Sequence, residues 1–267
     1  MVEKLDFERR FSGISRLYAS AGLVKLQAAH IVVVGIGGVG SWAAEALARN
    51  AVGAITLIDL DNIAESNVNR QIHAIDGAFG KAKVTAMRER LLSINPGCKI
   101  DEIEDFVTPE NITKLLDFNC DVIIDCIDNA QAKVAMAVFC RSQKIQLILA
   151  GSAGGRLDPT RIQIADLANV IGDRLLAKVR NQLRRDHHFP KASNSRKSAQ
   201  FNLTCVFSDE QVIKPFKKKI DETGALDNDK NFDSITGLNC AGYGSSVCVT
   251  APFGFTAAQL AINLIVA

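Results

Sequence analysis

The sequence predicts an α/β fold: a Rossmann-like doubly wound sheet of mainly parallel strands, with a C-terminal α+β extension. Apolar runs of strand length alternate with helix-length segments through residue 155. The first of these runs ends in a glycine cluster, His30-Ile-Val-Val-Val-Gly-Ile-Gly-Gly-Val-Gly-Ser41. The second ends in a carboxylate, Asp59.

Residues 1–29 read as helical, with Leu17, Leu23 and Leu26 on one apolar face. The run 30–35 is apolar throughout, as a strand covered on both faces must be. A helix over 39–51 follows, its alanines permitting close packing, and then a strand over 54–59. A helix over 80–94 and a short strand over 98–103 come next. Residues 109–116 predict a helix, with Thr108 as cap, Pro109 in the first turn and Glu110 complementing the dipole. Strand 121–125, helix 130–143 and strand 145–150 complete the alternation, which runs into Gly151-Ser-Ala-Gly-Gly155.

Beyond residue 155 the pattern changes. A strand near 161–165, a basic helix near 172–186, a polar stretch over 187–200, a strand near 203–207 and a loop over 214–236 are expected. The chain therefore divides into an N-terminal helical segment (1–29), a nucleotide-binding core (30–155) and a C-terminal extension (156–267).

The 267 residues suffice for one sizeable core, and a formal net charge of +2 excludes nothing by itself. Charge is concentrated instead. Residues 174–219 hold twelve Lys or Arg against three acids, among them Arg180, Arg184, Arg185, Lys191, Arg196, Lys197 and the run Lys217-Lys218-Lys219. Such a segment is either a solvated face or a polyanion site. None of the seven cysteines has C-x-x-C spacing, which argues against a zinc ribbon. An odd cysteine count and a charged N-terminus without an apolar core predict the reducing cytosol. Residues 247–267 carry no charge and are about long enough to cross a bilayer. Interruption by Pro252, Gly254, Gln259 and Asn263 favours a buried helix, with membrane association as the alternative.

Gly35-x-Gly37-Gly38-x-Gly40 fits the dinucleotide fingerprint, with Asp59 placed to accept ribose hydroxyls. A redox cofactor does not follow, because no proton donor for a hydride path is evident. The segments that follow carry groups suited to phosphate. Asp61, Asn67, Arg70 and Gln71 lie in Asp59-Leu-Asp-Asn-Ile-Ala-Glu-Ser-Asn-Val-Asn-Arg-Gln71. Arg70 offers a guanidinium fork. Lys81 and Lys83 open a helix, where cations are unfavourable unless an anion lies between. Asp125-Cys-Ile-Asp128-Asn129 ends a strand, and Asp128 suits a Mg²⁺ ion bridging phosphate oxygens. Together these point to transfer at a nucleotide α-phosphate.

In this order, G-x-G-G-x-G, D-x-D, S-N-x-N-R-Q, G-x-x-K and D-x-x-D-N resemble the ubiquitin-activating-enzyme-like adenylating family, over about residues 9–155. The resemblance implies carboxylate adenylation with ATP and Mg²⁺, with Arg70, Lys83 and Asp128 catalytic and Lys83 the phosphate-facing lysine. Arg10-Phe-Ser-Gly-Ile-Ser-Arg16 stands where the family has R-Y-x-R-Q, so Arg16 is a displaced candidate for an arginine finger. Arg16-Leu-Tyr18, Asn69-Arg-Gln-Ile-His-Ala74, Asp105-Phe-Val-Thr-Pro109, Asp158-Pro-Thr160, Cys205-Val-Phe-Ser208 and Asn239-Cys-Ala241 are similar to its tRNA-modifying branch. That branch implies ATP-dependent cyclisation of threonylcarbamoyladenosine in tRNA and a homodimer. It also implies a cysteine desulfurase with its sulfur-acceptor protein as partners, and a monovalent cation. Cys240, in a glycine-rich setting, is a candidate acyl acceptor. Two other readings stand beside this one: adenylation of a sulfur-carrier or ubiquitin-like protein, and an NAD-dependent dehydrogenase or nucleotide sensor.

Overall fold

The computed structural model describes residues 6–191, 200–213 and 243–267, together with the backbone of 219–220 and 226–227. Its frame is a seven-stranded sheet. The strands are β1 (His30–Val34), β2 (Ala54–Ile58), β3 (Lys99–Ile103), β4 (Val122–Asp125), β5 (Gln146–Ala150), β6 (Ile162–Asp166) and β7 (Thr204–Ser208). Their order is β3-β2-β1-β4-β5-β7-β6, parallel everywhere except at β6, which runs antiparallel to β7. The sheet reverses its winding between β1 and β4, and ligands in open α/β sheets bind outside the carboxyl ends of the strands at such a point.

Alternate side chains of the central strands feed two cores. Ile31, Val33, Ile55, Leu57 and Ile124 pack with α2 (Gly40–Arg49), α3 (Lys83–Ile94) and a long C-terminal helix on one face. Val32, Val34, Ile58, Ile123 and Leu149 pack on the other with α4 (Ile112–Leu115), α5 (Ala130–Gln143) and α6 (Arg174–Asp186). This two-sided burial explains why the strands read as unbroken apolar runs. The extension belongs to the same sheet, since β6 and β7 continue it from β5. Residues 214–236, expected as a loop, contain a short antiparallel pair, β8 (Lys219–Ile220) with β9 (Leu226–Asp227).

Two expectations need correction. The helix predicted over 109–116 is a single turn starting at Ile112. Thr108 and Asn111 instead exchange hydrogen bonds, backbone N–H to side-chain oxygen in each direction, and use the capping groups in a turn before the helix. The first helix, α1 (Phe7–Ala28), is capped by Asp6 and broken at Phe11 and Ala19, where φ is +59°. With the backbone turned at Ala19, Leu17 is exposed, and Phe11, Gly22 and Leu26 supply the buried contacts.

The apolar C-terminal segment forms α7 (Val247–Val266), the one described helix whose length and composition would suit a bilayer. It packs along α1, α2 and the sheet. Phe253, Ala257, Ala258, Ala261 and Ile262 recur at helical spacing and are buried. Phe255 lies on the outer side, edge-on to Trp42 at 5.8 Å between ring centroids. α7 is thus a core helix with one open side. Phe253→Ala should cost about 3–5 kcal/mol in urea unfolding, and Phe255→Ala about 1 kcal/mol.

Candidate active site

The carboxyl ends of β1, β2, β4 and β5 open into one cavity of about 530 Å³. Its floor is the glycine turn after β1. Gly35 has φ +85°, and its Cα faces Cys126 and Ile127 so closely that a Cβ would meet Ile127 at 2.9 Å. A Cβ on Gly40 would stand 1.9 Å from the Gly35 carbonyl oxygen, so α2 can start this close to β1 only with glycine there. Gly35, Gly37 and Gly38 line the cavity, and Gly40, buried, opens α2 behind them.

Asp59 is buried at the end of β2. Its Oδ2 accepts the Ile36 N–H of the glycine turn at 2.6 Å, and its Oδ1 accepts the Asp61 N–H at 2.9 Å. Burial pushes its carboxyl up from the ordinary carboxylate value, and Lys83, 3.9 Å away, opposes the shift. Each Asp59 oxygen keeps a lone pair for a ligand hydroxyl. Lys83 Nζ is buried and donates to Asp61 Oδ2 at 2.7 Å. Lys81, the alternative lysine, pairs with Glu89 outside the cavity lining.

Arg70 lies over Gly38, which has no side chain to obstruct it. Its Nη1 donates to the Ser66 carbonyl at 2.8 Å and to Asn69 Oδ1 at 2.9 Å, and its own carbonyl accepts from Trp42 Nε1. Gln71 points its carboxamide at Gly37, with Oε1 3.1 Å from His73 Nε2. Burial, reinforced by Lys83 and Arg90, pulls His73 down to about 4. The neutral ring therefore donates through Nε2 to Gln71, leaving Nδ1 without a partner among the described residues. Asp128, half-buried after β4, faces the same cavity.

The cavity therefore gathers Gly35, Gly37, Gly38, Asp59, Asp61, Arg70, Gln71, Lys83 and Asp128. Asn67 is not among them: it is buried, and its Oδ1 accepts the Ala64 N–H in the turn below. Arg16 is exposed on α1, away from the cavity lining. Cys240, Arg196, Lys197, Lys217 and Lys218 lie outside the described residues, as does the side chain of Lys219. No described group of three or more His, Cys, Asp or Glu is arranged to hold a metal. A single carboxylate such as Asp128 nonetheless suits Mg²⁺, which takes most of its other ligands from phosphates and water.

The profile of the ThiF family matches residues 11–265. The chain belongs to the ThiF family. It is 44% identical over 259 residues to the tRNA threonylcarbamoyladenosine dehydratase of Haemophilus influenzae, covering 97% of this chain and 94% of that protein. Identity to the Escherichia coli tRNA threonylcarbamoyladenosine dehydratase is 43% over 263 residues, covering 98% and 95%. The crystal structure of the E. coli enzyme in complex with ATP superimposes with a TM-score of 0.84 at 41% identity, over 99% of this chain and 97% of that one.

This ThiF-family cavity also contains walls that sequence reasoning did not assign. Asp105, Phe106 and Thr108 close one side, Ser152 to Gly154 another, and Ser245 and Thr250 the rim. The glycine cluster at 151–155, placed at a strand end, was the available signal. Lys133 had none, since it reads as an ordinary helix lysine. It is fully buried, and its Nζ donates to Asp125 Oδ1 at 2.9 Å beneath the Asp128 loop. Asp125 Oδ1 also accepts the Ile127 N–H, while Oδ2 is buried without a partner among the described residues.

Lys133→Met should lose about 3–5 kcal/mol in urea unfolding, because it leaves a buried carboxylate uncompensated, and Asp125→Asn in the same chain should restore much of that loss. The depressed His73 value also sets a pH dependence. Its contribution is present above the ordinary 6.5 and lost as pH falls toward about 4. The loss amounts to about 3 kcal/mol, and His73→Gln should flatten that part of the thermal stability profile.

Proposed function

We propose that the chain is a tRNA threonylcarbamoyladenosine dehydratase, an enzyme that uses ATP to cyclise threonylcarbamoyladenosine in tRNA with loss of water. The observation that carries this reading is the meeting of Arg70, Lys83 and Asp128 around the glycine turn. It is supported by identity that runs through nearly the whole length of two enzymes bearing that name. The ATP complex of a relative with the same fold supports ATP as co-substrate.

In the first step, a carboxylate oxygen of the threonyl group attacks the α-phosphorus. The bond to the bridging oxygen breaks, and its electron pair leaves with pyrophosphate. In the second, a nucleophilic atom of the carbamoyl-adenosine attacks the acyl carbon, the carbamoyl group releases a proton to solvent, and AMP departs, carrying the former carboxylate oxygen. The substrate thereby loses the elements of one water.

Each residue has a part in this sequence. The N–H groups at the start of α2 face the phosphates. Arg70 and Lys83 neutralise charge as pyrophosphate forms. Gln71 supplies an amide donor beside the glycine turn, and Asp59 accepts ribose hydroxyls. Asp128 would hold Mg²⁺, which when bound spreads the charge of the phosphate oxygens.

The remaining expectations join this proposal. A homodimer is supported by the apolar side chains Leu17 and Val24 on α1 and Phe255 and Leu264 on α7, all exposed. A cysteine desulfurase with its sulfur-acceptor protein as partners, and a monovalent cation, rest on family resemblance. A cytoplasmic location accords with tRNA as substrate, and the half-buried state of α7 favours it over membrane association.

Incubating the protein with ATP, Mg²⁺ and tRNA carrying threonylcarbamoyladenosine should give a nucleoside lighter by one water in mass spectrometry. Arg70→Ala and Asp128→Asn should each lower tRNA-stimulated pyrophosphate release by at least about a hundredfold. Normal turnover in either variant would overturn the assignment of that residue, and an unchanged nucleoside mass with wild-type protein would overturn the function.

A further inference from the structure

Helix α6 carries a charge pattern that its fold role does not require. Leu175, Leu176, Val179 and Leu183 face the core and are buried. Arg174, Lys178, Asn181 and Arg185 are all exposed. Their spacing of four, three and four residues places them within a sector of roughly 60°, in a line about 16 Å long. Arg174 and Lys178 have no ion pair among the described residues. Arg185 pairs with Asp186, the last residue of the helix, at 2.8 Å. The two other arginines of α6 face elsewhere. Arg180 donates to the Leu167 and Val170 carbonyls, and Arg184 donates to the Pro190 carbonyl beneath the Phe201 ring.

The line begins at the cavity. Asp173, buried, caps α6 by accepting the Leu176 N–H through Oδ1, and its Oδ2 accepts the Ser152 N–H at 2.8 Å. Ser152 and Leu175 both line the cavity. The start of α6, which carries Arg174, is therefore tied to the cavity wall by one carboxylate, and the line leads away from it.

We infer that this face of α6 is the track for the tRNA backbone next to the reacting nucleotide, with Arg174, Lys178 and Arg185 meeting phosphates along it. The inference rests on tRNA being the substrate. Such contacts fix register without reading sequence, which suits an enzyme whose specificity lies in a modified nucleotide. Asp186 opposes the track. It occupies one of the cations and adds negative charge where the RNA would run.

The test is filter binding of tRNA to the full-length protein across a KCl series, with Mg·ATP affinity measured separately by calorimetry. Arg174→Ala and Lys178→Ala should each weaken tRNA binding by about threefold to tenfold and reduce the slope of log K against log[KCl] by about 0.7–0.9. Asp186→Asn should tighten binding. Mg·ATP affinity should be unchanged in all three, and Lys99→Ala, on the far edge strand, should match wild type. Wild-type slopes in Arg174→Ala and Lys178→Ala would overturn the track while leaving the tRNA function standing. Loss of anionic vesicle binding in these variants, with tRNA binding intact, would reassign the face to lipid. Wild-type protein that binds Mg·ATP but no tRNA would instead overturn the function, and the track with it.

Discussion

The contact between the Gly40 backbone and the Gly35 carbonyl is the constraint on which the site depends. A Cβ at Gly40 would stand 1.9 Å from that oxygen, so any side chain there would push α2 away from β1. The approach lets the start of α2 face the cavity at the point where the sheet reverses its winding. The turn is then tied to the next strand, because the Ile36 N–H is held by Asp59 rather than by water. Asp59 meanwhile lies 3.9 Å from Lys83, so glycine turn, second strand and third helix share one charge network. Altering any member disturbs the placement of the others.

The electrostatics of the cavity follow from burial. Lys83, Asp59, Asp125 and Lys133 are all withdrawn from solvent, and each has an opposite charge nearby. Removing ions from water is costly, and their mutual attraction offsets that cost only when geometry is good. The Asp125–Lys133 pair lies beneath the loop that carries Asp128, which makes it a support and not a reacting group. Lys83 differs, because its closest partner, Asp61, is half exposed and lies on the cavity wall. A buried cation with an exposed acid partner can turn toward a phosphate at lower cost than one enclosed on every side.

The fold was legible because two-sided burial leaves a plain mark. β1 and β4 had to be apolar throughout, and their ends had to carry the chemistry. Gly35, Asp59 and Asp128 were candidates for the same reason, since each stands at or just after a strand end, whereas Arg70 was singled out by its guanidinium fork and Lys83 by a cation at a helix start together with the family resemblance. Asn67 has the same kind of side chain but serves the Ala64 amide, and only the turn geometry distinguishes the two uses. Thr108 satisfies the local rule for a helix cap, yet the turn it forms with Asn111 satisfies the same groups earlier. Lys133 was illegible because a buried lysine and a surface lysine are the same letter. Only the tertiary position of Asp125 separates them.

The extension after residue 155 has a different logic from the core. In the core, positive groups converge on one cavity, and a compact anion is their natural ligand. In α6 the cations stand in a line, and a line of charge is matched by a polymer. Asp173 joins the two arrangements, since one carboxylate both caps α6 and holds the Ser152 backbone at the cavity wall. A substrate that is itself a polymer with one reactive carboxylate needs such a join. Its reacting group must reach the enclosed cations while its chain stays on the surface, and the distance between the two is set by a helix cap.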